Sequence, residues 1–561
     1  MKARLAAEGR EVAAAVRYAA AVPRFVRGRT TLEECRRRIA AGVGRREDGF
    51  LDLLDRAVFR APHSPYLPLL RAAGVEHGDV VGLVRGDGLE VALRRLADAG
   101  VSLTLEEFKG LTPIERPGVT LEPDRHAFDN PLLTAPVTRS EVGSRGRPRR
   151  VIVNLEDVEH TAAYSRVFLE AFGLFDRPML MWRPPPPARA GIGHVLQMAR
   201  LGKPIDAWFS QTPLTLRRGA KDVLFTQATR TAVRLSGLRA PWPVHVPLER
   251  AEVLARWMAE HPGAHLNAPA GSAVRVCLAA AELGLDLSGC FVRVGGEPLT
   301  AGKRAVFDRA GVRSACHYTA SDVGRIGIAC ASPAALDDVH VATDRLAVIQ
   351  LQRALGAVGP VVASLAFTTL APSVRRILLN VELGDYGVLE ERRCGCAFDG
   401  VGLSLHLHTI RSFEKLTTEG MHFLGPDVIR LVEEVLPARF GGAATDYQLV
   451  EAEAGGLTKL DVVVAPRVGA VEDREVVAVV LEMLGSGPAF KAMMAEVWRD
   501  GGTVRVVRRA PEPTASGKIL PLHLSRDGAN AAETAATVGV PRKGGGPDVT
   551  DSSTGSGGTS G

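Results

Sequence analysis

Apolar positions in the first 110 residues recur at helical spacing within Arg- and Ala-rich amphipathic stretches, broken at short segments such as APHSPYLP (61–68). That pattern predicts a helical N-terminal region, 1–110, capping a larger core. From about 130 to 400 the period changes repeatedly. VRVCLAAAELGLDL (274–287) reads as helix, CFVRVGGEP (290–298) as a strand meeting a glycine turn, and AGKRAVFDRAG (301–311) as a helix ending at Gly311. Strand and helix in alternation predict an α/β body over 111–410. The PPPP run at 184–187 reads as a stiff surface connection within that body. After Arg411, PDVIRLVEEVLP (426–437) and EVVAVVLEMLG (475–485) are helical. YQLVEAE (447–453) and KLDVVVAP (459–466) read as paired strands, and TVRVVRRAP (503–511) as the last strand. These make a small α+β domain, 411–525. From about 526 the chain turns to Gly, Ser, Thr and Asp, too poor in apolar surface to fold, so 526–561 is expected to be a disordered tail.

Composition narrows the function classes. The chain has 561 residues, 46% hydrophobic and 24% charged, enough for a full core and more than one domain. No run of about 18 apolar residues occurs, and the first stretch is interrupted by Arg and Glu, so neither a membrane span nor a secretory signal is expected and the cytoplasm is the default. The 69 basic residues are offset by 63 acidic ones, and no basic run interleaves with aromatics, which argues against nucleic acid as a partner. Seven cysteines in so long a chain do not make a disulfide framework.

Several strings carry candidate chemistry. In TRSEVGSRGRPRRV (138–151), Gly143 and Gly146 flank Ser144 and Arg145 ahead of a strand. Such a loop can close backbone N–H groups around phosphate oxygens, although a basic surface loop accounts for the same residues. In VRVGGEPLT (292–300), a strand ending in Gly295 and Gly296 lets a flat ring approach the backbone. CHYTASDVGRIGIAC (316–330) then offers Tyr318 for stacking and Asp322 as a carboxylate for Mg²⁺. Two ordinary βα turns would look alike. In NVELGDYGVL (380–389), Asp385 could accept hydrogen bonds from vicinal hydroxyls. HTIRSFEKLTTEGMHF (408–423) puts Arg411 at the junction with the small domain. PTASGKIL (513–520) presents Lys518, one of only ten lysines, at a glycine turn.

In this order, these strings resemble the adenylate-forming enzymes, the superfamily of acyl-CoA ligases, luciferases and peptide-synthetase adenylation domains, and most nearly its phenylacetate-CoA ligase-like branch. The resemblance runs from about 130 to 521 and implies a large adenylation body with helices on both sides of its sheets, and a small mobile C-terminal domain. It implies that Gly143, Ser144 and Gly146 grip phosphate, and that Gly296, Glu297 and Pro298 form the adenine-site turn beside Tyr318. Ser321 and Asp322 would lie near the α-phosphate and Mg²⁺, and Asp385 would hold the ribose. Arg411 would contact the nucleotide at the hinge, and Lys518 would bridge the substrate carboxylate and α-phosphate as the catalytic lysine. This chain departs from the pattern at Val142, Arg145, Asp322 (for Glu), Leu383, Asn380 (for Arg) and Phe413 (for Asp or Lys).

The activity so implied is attack of a carboxylate on the α-phosphorus of ATP to give acyl-AMP and pyrophosphate, followed by a thiol, with acyl-CoA and AMP as products. Aryl and arylacetic acids are the branch-level expectation, with an acid pocket near 207–213 and 265–272. Transfer to an amine or to a carrier-protein thiol is an open alternative, as is a homologue that binds nucleotide without turnover. The expected small molecules are thus ATP, Mg²⁺, CoA and the acid, and the oligomeric state is open. Cys330, His340, Cys394 and Cys396 offer soft ligands for a closed, structural Zn²⁺ site. The resemblance supports that set, while the alternative is a group of small buried thiols with His340 facing solvent. His317 reads as a packed neighbour of the nucleotide pocket.

Overall fold

The computed structural model describes residue 18 and most of 20–524, apart from 111, 125, 134–136, 143–147, 187–188, 212, 215, 297–298, 300, 321, 355–360, 413–416, 419–420, 423–424, 455–456, 486–498, 500–501, 503, 514–518 and 520. The tail expected at 526–561 lies outside the described residues. Two short hairpins come first: β1 (Ile114–Arg116) with β2 (Val119–Leu121), and β3 (Val137–Val142) with β4 (Pro148–Val153).

Twelve strands then build one sheet: β5 (Met179–Trp182), β6 (Ala207–Ser210), β7 (Val244–His245), β8 (His265–Ala268), β9 (Phe291–Gly295), β10 (Arg313–Ala320), β11 (Gly324–Ala329), β12 (Val339–Val341), β13 (Leu346–Ala354), β14 (Val361–Thr369), β15 (Val381–Glu391) and β16 (Leu405–Ser412). Their order is β13-β14-β15-β16-β12-β11-β10-β9-β8-β5-β6-β7. The half from β10 to β7 is parallel, and the half from β10 to β13 is antiparallel. β5, β8 and β9 are buried at every position, as parallel strands covered on both faces must be.

Helices Leu155–Ala171, Arg189–Arg200 and Leu216–Leu235 pack on one face of the parallel half, and Glu252–Glu260, Ala270–Glu282 and Ala301–Arg309 on the other. The N-terminal helices between Arg46 and Asp98 cover the antiparallel half, burying Phe50, Leu70, Leu93 and Leu96 against Ile349, Leu365 and Phe367. The expected cap is therefore part of the core. The proline run differs from expectation: Pro184, Pro185 and Pro186 are buried, and just before them the Arg183 carbonyl accepts the Trp208 Nε1–H at 2.9 Å.

Past β16, a hairpin of β17 (Thr417–Thr418) and β18 (Met421–His422) precedes a second sheet. That sheet contains β19 (Tyr447–Ala454), β20 (Leu457–Val464), β21 (Val504–Arg508) and β22 (Leu522–Leu524), in the order β21-β20-β19-β22. The pairing of 447–453 with 459–466 is as expected, but the last strand is β22, which adds in parallel beside β19. Its three residues are too short to carry a readable alternation. A separate apolar core, including Leu431, Tyr447, Val462 and Val480, holds this sheet to its helices. The buried ion pair of Lys303 and Glu433, 2.8 Å, ties it to the large body.

Candidate active site

The carboxyl ends of the parallel strands are where an α/β sheet exposes loops to a ligand. β9 ends there in Gly295 and Gly296. A Cβ on Gly295 would stand 3.0 Å from the His317 carbonyl, which makes that position tight for a side chain, and Gly296 has φ +83°, which favours glycine. β10 runs alongside, pairing His317 with Gly295, and the next residue, Tyr318, donates its hydroxyl to Asp385 Oδ2 at 2.6 Å. Burial, and then the Asp385 carboxylate, push the Tyr318 phenol well above its usual value. Asp385 follows Gly384, whose φ is +77°, on a stretch of β15 with bulges on both sides that re-aim its side chains.

Asp385 lies opposite Ser412 and Tyr386 opposite Arg411, so the backbone of Arg411 is one register position from the Tyr318–Asp385 pair. β16 turns just before it: Thr409 has φ 53°, held by N–H bonds from Thr409 (2.8 Å) and Ile410 (2.9 Å) to the buried Asp337 carboxylate. Three strings that are distant in sequence thus meet. Gly143, Ser144, Gly146, Glu297, Pro298, Ser321 and Lys518 lie outside the described residues, as does the side chain of Arg411.

Asp322, expected to hold Mg²⁺, has its carboxylate between Lys109 Nζ and Arg376 Nη1, the latter at 3.4 Å; Arg376 also reaches Asp129 at 3.4 Å. A divalent ion at Asp322 would compete with both cations. Lys109 and Arg376 were not singled out by sequence; the scarcity of lysine was the available signal for Lys109. Asn380, which stands where the resemblance calls for Arg, is fully buried with φ 51°. Its amide donates to Leu93 O (2.8 Å) and Val101 O (3.1 Å), fastening the N-terminal helices to the sheet.

The cysteine and histidine candidates converge at the far end of β11 and β12. Cys330 Sγ is 3.7 Å from Cys394 Sγ, and His340 Nε2 is 3.1 Å from Cys396 Sγ and 3.6 Å from Cys394 Sγ. His340 is fully buried, and its Nδ1 donates to Leu403 O at 2.6 Å, which leaves Nε2 free to ligate. His406, absent from the sequence reading, joins them: its ligand atom lies within 4.8 Å of those of Cys330, His340 and Cys394. Its Nδ1 is 2.8 Å from Asp338 Oδ1, and its buried Nε2 has no hydrogen-bond partner. The hydrogen bond between Cys330 and Cys396 lowers the Cys396 thiol below its ordinary value and raises that of Cys330. Cys330, His340, Cys394 and His406 bring four ligand atoms within 4.8 Å of one another, the number and kind that tetrahedral zinc takes, with Cys396 beside them at His340.

A third group, of which the sequence pointed to His317 and the 265–272 stretch but not to the arginines, occupies the face of the parallel half under helix Leu155–Ala171. Arg293 on β9 is 3% exposed; it donates to Ser165 Oγ at 3.3 Å, and its guanidinium lies 4.8 Å from the Phe168 ring centre. Around it are His265 and Asn267 on β8, His317 on β10, Arg325 on β11, His194 on the helix Arg189–Arg200 and Arg183 just past β5. Arg183 donates to Asn267 Oδ1 (3.0 and 2.9 Å) and Ala268 O (2.9 Å), and Asn267 Nδ2 is 3.1 Å from His194 Nε2.

No protein-family model matches the chain, and neither does any curated protein. Among solved structures it is similar to 2-hydroxyisobutyryl-CoA ligase in the postadenylation state. With R3-HIB-AMP bound to that enzyme, the TM-score is 0.52 at 13% identity, covering 88% of this chain and 91% of that chain. With 2-HIB-AMP bound, the TM-score is 0.51 at the same identity and coverage. At such identity the likeness speaks for the fold. The large α/β body with its mixed sheet between helices, foreseen from the alternating pattern, is similar in fold to that ligase.

Proposed function

We propose that the protein activates a carboxylic acid with ATP, forming acyl-AMP and pyrophosphate, and then transfers the acyl group to the thiol of CoA with release of AMP. The observation that carries this reading is the Tyr318–Asp385 hydrogen bond beside Gly295–Gly296 and the Arg411 strand, at the carboxyl ends of the parallel strands. Adenine would lie along the glycine turn against the Tyr318 ring, with the ribose hydroxyls at Asp385. The acid carboxylate attacks the α-phosphorus, a bond to its oxygen forms, and pyrophosphate leaves with the electron pair of the broken P–O bond. Mg²⁺, brought with ATP, would neutralise phosphate charge. Lys518 and Arg411 would neutralise the charge gathering between carboxylate and α-phosphate; removal of one such preorganised donor slows a reaction by about a hundredfold or more.

CoA as acceptor is favoured because the similar structure is a CoA ligase. For the acid, the resemblance to the phenylacetate-CoA ligase-like branch suggests an aryl or arylacetic one. Cys330, His340 and Cys394, with His406 or Cys396 as the fourth ligand, would hold zinc as a structural clamp between β11, β12, β16 and the 394–403 loop. Metal analysis should find about one zinc per chain, and its absence from freshly purified protein would end that assignment. Lys518→Ala should abolish acid-dependent ATP–pyrophosphate exchange while leaving the circular dichroism unchanged. An unaltered exchange rate would remove Lys518 from the mechanism.

A further inference from the structure

Arg293 and Arg325 differ from the buried cations at Asp157, Asp322 and Glu433 in having no carboxylate partner among the described residues. Neither Arg293 nor Arg325 makes an ion pair among the described residues, and the charges bearing on Arg293 are Arg325 and Arg183, of its own sign. Arg293 Nη1, Arg325 Nε, His317 Nε2 and both ring nitrogens of His265 have no hydrogen-bond partner. A missing partner alone would not distinguish them, since Arg345 Nε also lacks one, but Arg345 has Asp157 at 2.8 Å. Burying a cation without a counter-charge is among the most unfavourable arrangements a core can hold, and a fold keeps it where a ligand supplies the missing charge.

The hydrogen-bond pattern specifies the sign of that ligand. Burial, and next Arg293, push His194, His265 and His317 well below the usual imidazole value, so all three are neutral at pH 7. His317 Nδ1 accepts the Ala329 N–H at 3.1 Å, which places the ring proton on Nε2, a donor with nothing to donate to. Asn267 Oδ1 accepts from Arg183, so the amide Nδ2 donates to His194 Nε2 and the His194 proton sits on Nδ1. The group therefore presents guanidinium and imidazole donors together. Register puts it beside the nucleotide-side residues: Asn267 pairs with Arg293, Gly295 with His317, and Arg325 with Thr319. His317 and Tyr318, being consecutive on β10, face opposite sides of the sheet at the same strand end.

We propose that Arg293 and Arg325, with the Nε2–H of His317, receive a second carboxylate on the acid that the enzyme activates, so that its substrates are dicarboxylic acids of which one carboxylate is adenylated. This rests on the adenylation reading above. A site that hydrogen-bonds one substrate group rejects the analogue lacking it strongly, so the preference for a diacid over its monoacid should be about a hundredfold or more in kcat/KM.

The test uses matched pairs: homophthalate with phenylacetate, phthalate with benzoate, and glutarate with butyrate. Binding is measured calorimetrically without ATP, and turnover by ATP–pyrophosphate exchange, in the wild type and in Arg293→Met, Arg325→Met and Arg325→Lys. At least one diacid should bind and exchange far better than its partner. That preference should collapse in both Met variants and survive in part in Arg325→Lys, which also controls for folding. Equal response to diacid and monoacid, a preference unchanged in the Met variants, or no binding of any diacid would overturn the proposal. Exchange with monoacids alone would overturn it while leaving adenylation standing. Selective diacid binding without any exchange would keep the anion site and remove the adenylation reading.

Discussion

Helix Leu155–Ala171 covers two buried groups of arginines that are built in opposite ways. Near its start, Asp157 meets Arg345 at 2.8 Å and Arg375 at 3.1 Å, all three under a tenth exposed. Two turns on, Ser165 and Phe168 of the same helix meet Arg293, where Arg325 and Arg183 add charge of the same sign. The first group closes on itself and pins the helix to the 373–376 loop. In the second, Arg293 and Arg325 have no carboxylate partner among the described residues. Burial of charge is common to both, so burial alone does not mark a site; the missing carboxylate does.

Breaking the closed group should have the largest effect. Asp157→Ala strands two buried guanidinium groups and should lower stability by about 3–5 kcal/mol, read from urea denaturation. A loss under about 1 kcal/mol would mean that the pair is not structural, and the contrast would fail. Next in size is Asp344, which accepts the Tyr164 hydroxyl at 2.6 Å beside Arg345 and whose carboxyl is raised by burial to about 6. A raised carboxyl favours the protonated form in the fold, so its contribution is fully present below about pH 4 and is lost as pH rises through about 6. At pH 7 the ionised group costs about 3 kcal/mol. Asp344→Asn should therefore stabilise the protein at pH 7 and flatten its stability between pH 4 and 6; equal pH profiles would argue against the shift. The smallest stability change belongs to the open group. Arg293→Met removes an uncompensated charge and should leave stability unchanged or raise it by about 1–2 kcal/mol, while removing diacid binding. A large destabilisation would move Arg293 into the structural class.

Local elements were legible because their patterns are local. The strand at 291–295 and the helix at 301–309 carry their own periods and stops, and order along the chain brought out Tyr318 and Asp385. What escaped depends on distant approach. His406 reaches the cysteine group from β16 with no spacing signal, and Lys109 meets Asp322 across more than two hundred residues. Arg293 sits in VRV, where a polar residue between apolar ones reads as facing water; only a strand buried on both faces makes it unusual. Pro184 to Pro186 escaped for the reverse reason, since proline in a connection ordinarily marks surface and here is buried.

The most direct measurement is ATP–pyrophosphate exchange by the wild-type protein with Mg²⁺ over aryl, arylacetic and aliphatic acids, each as monoacid and diacid. The account requires exchange that depends on added acid and is greatest with a diacid. Measurable ATP binding with no exchange for any acid would contradict it.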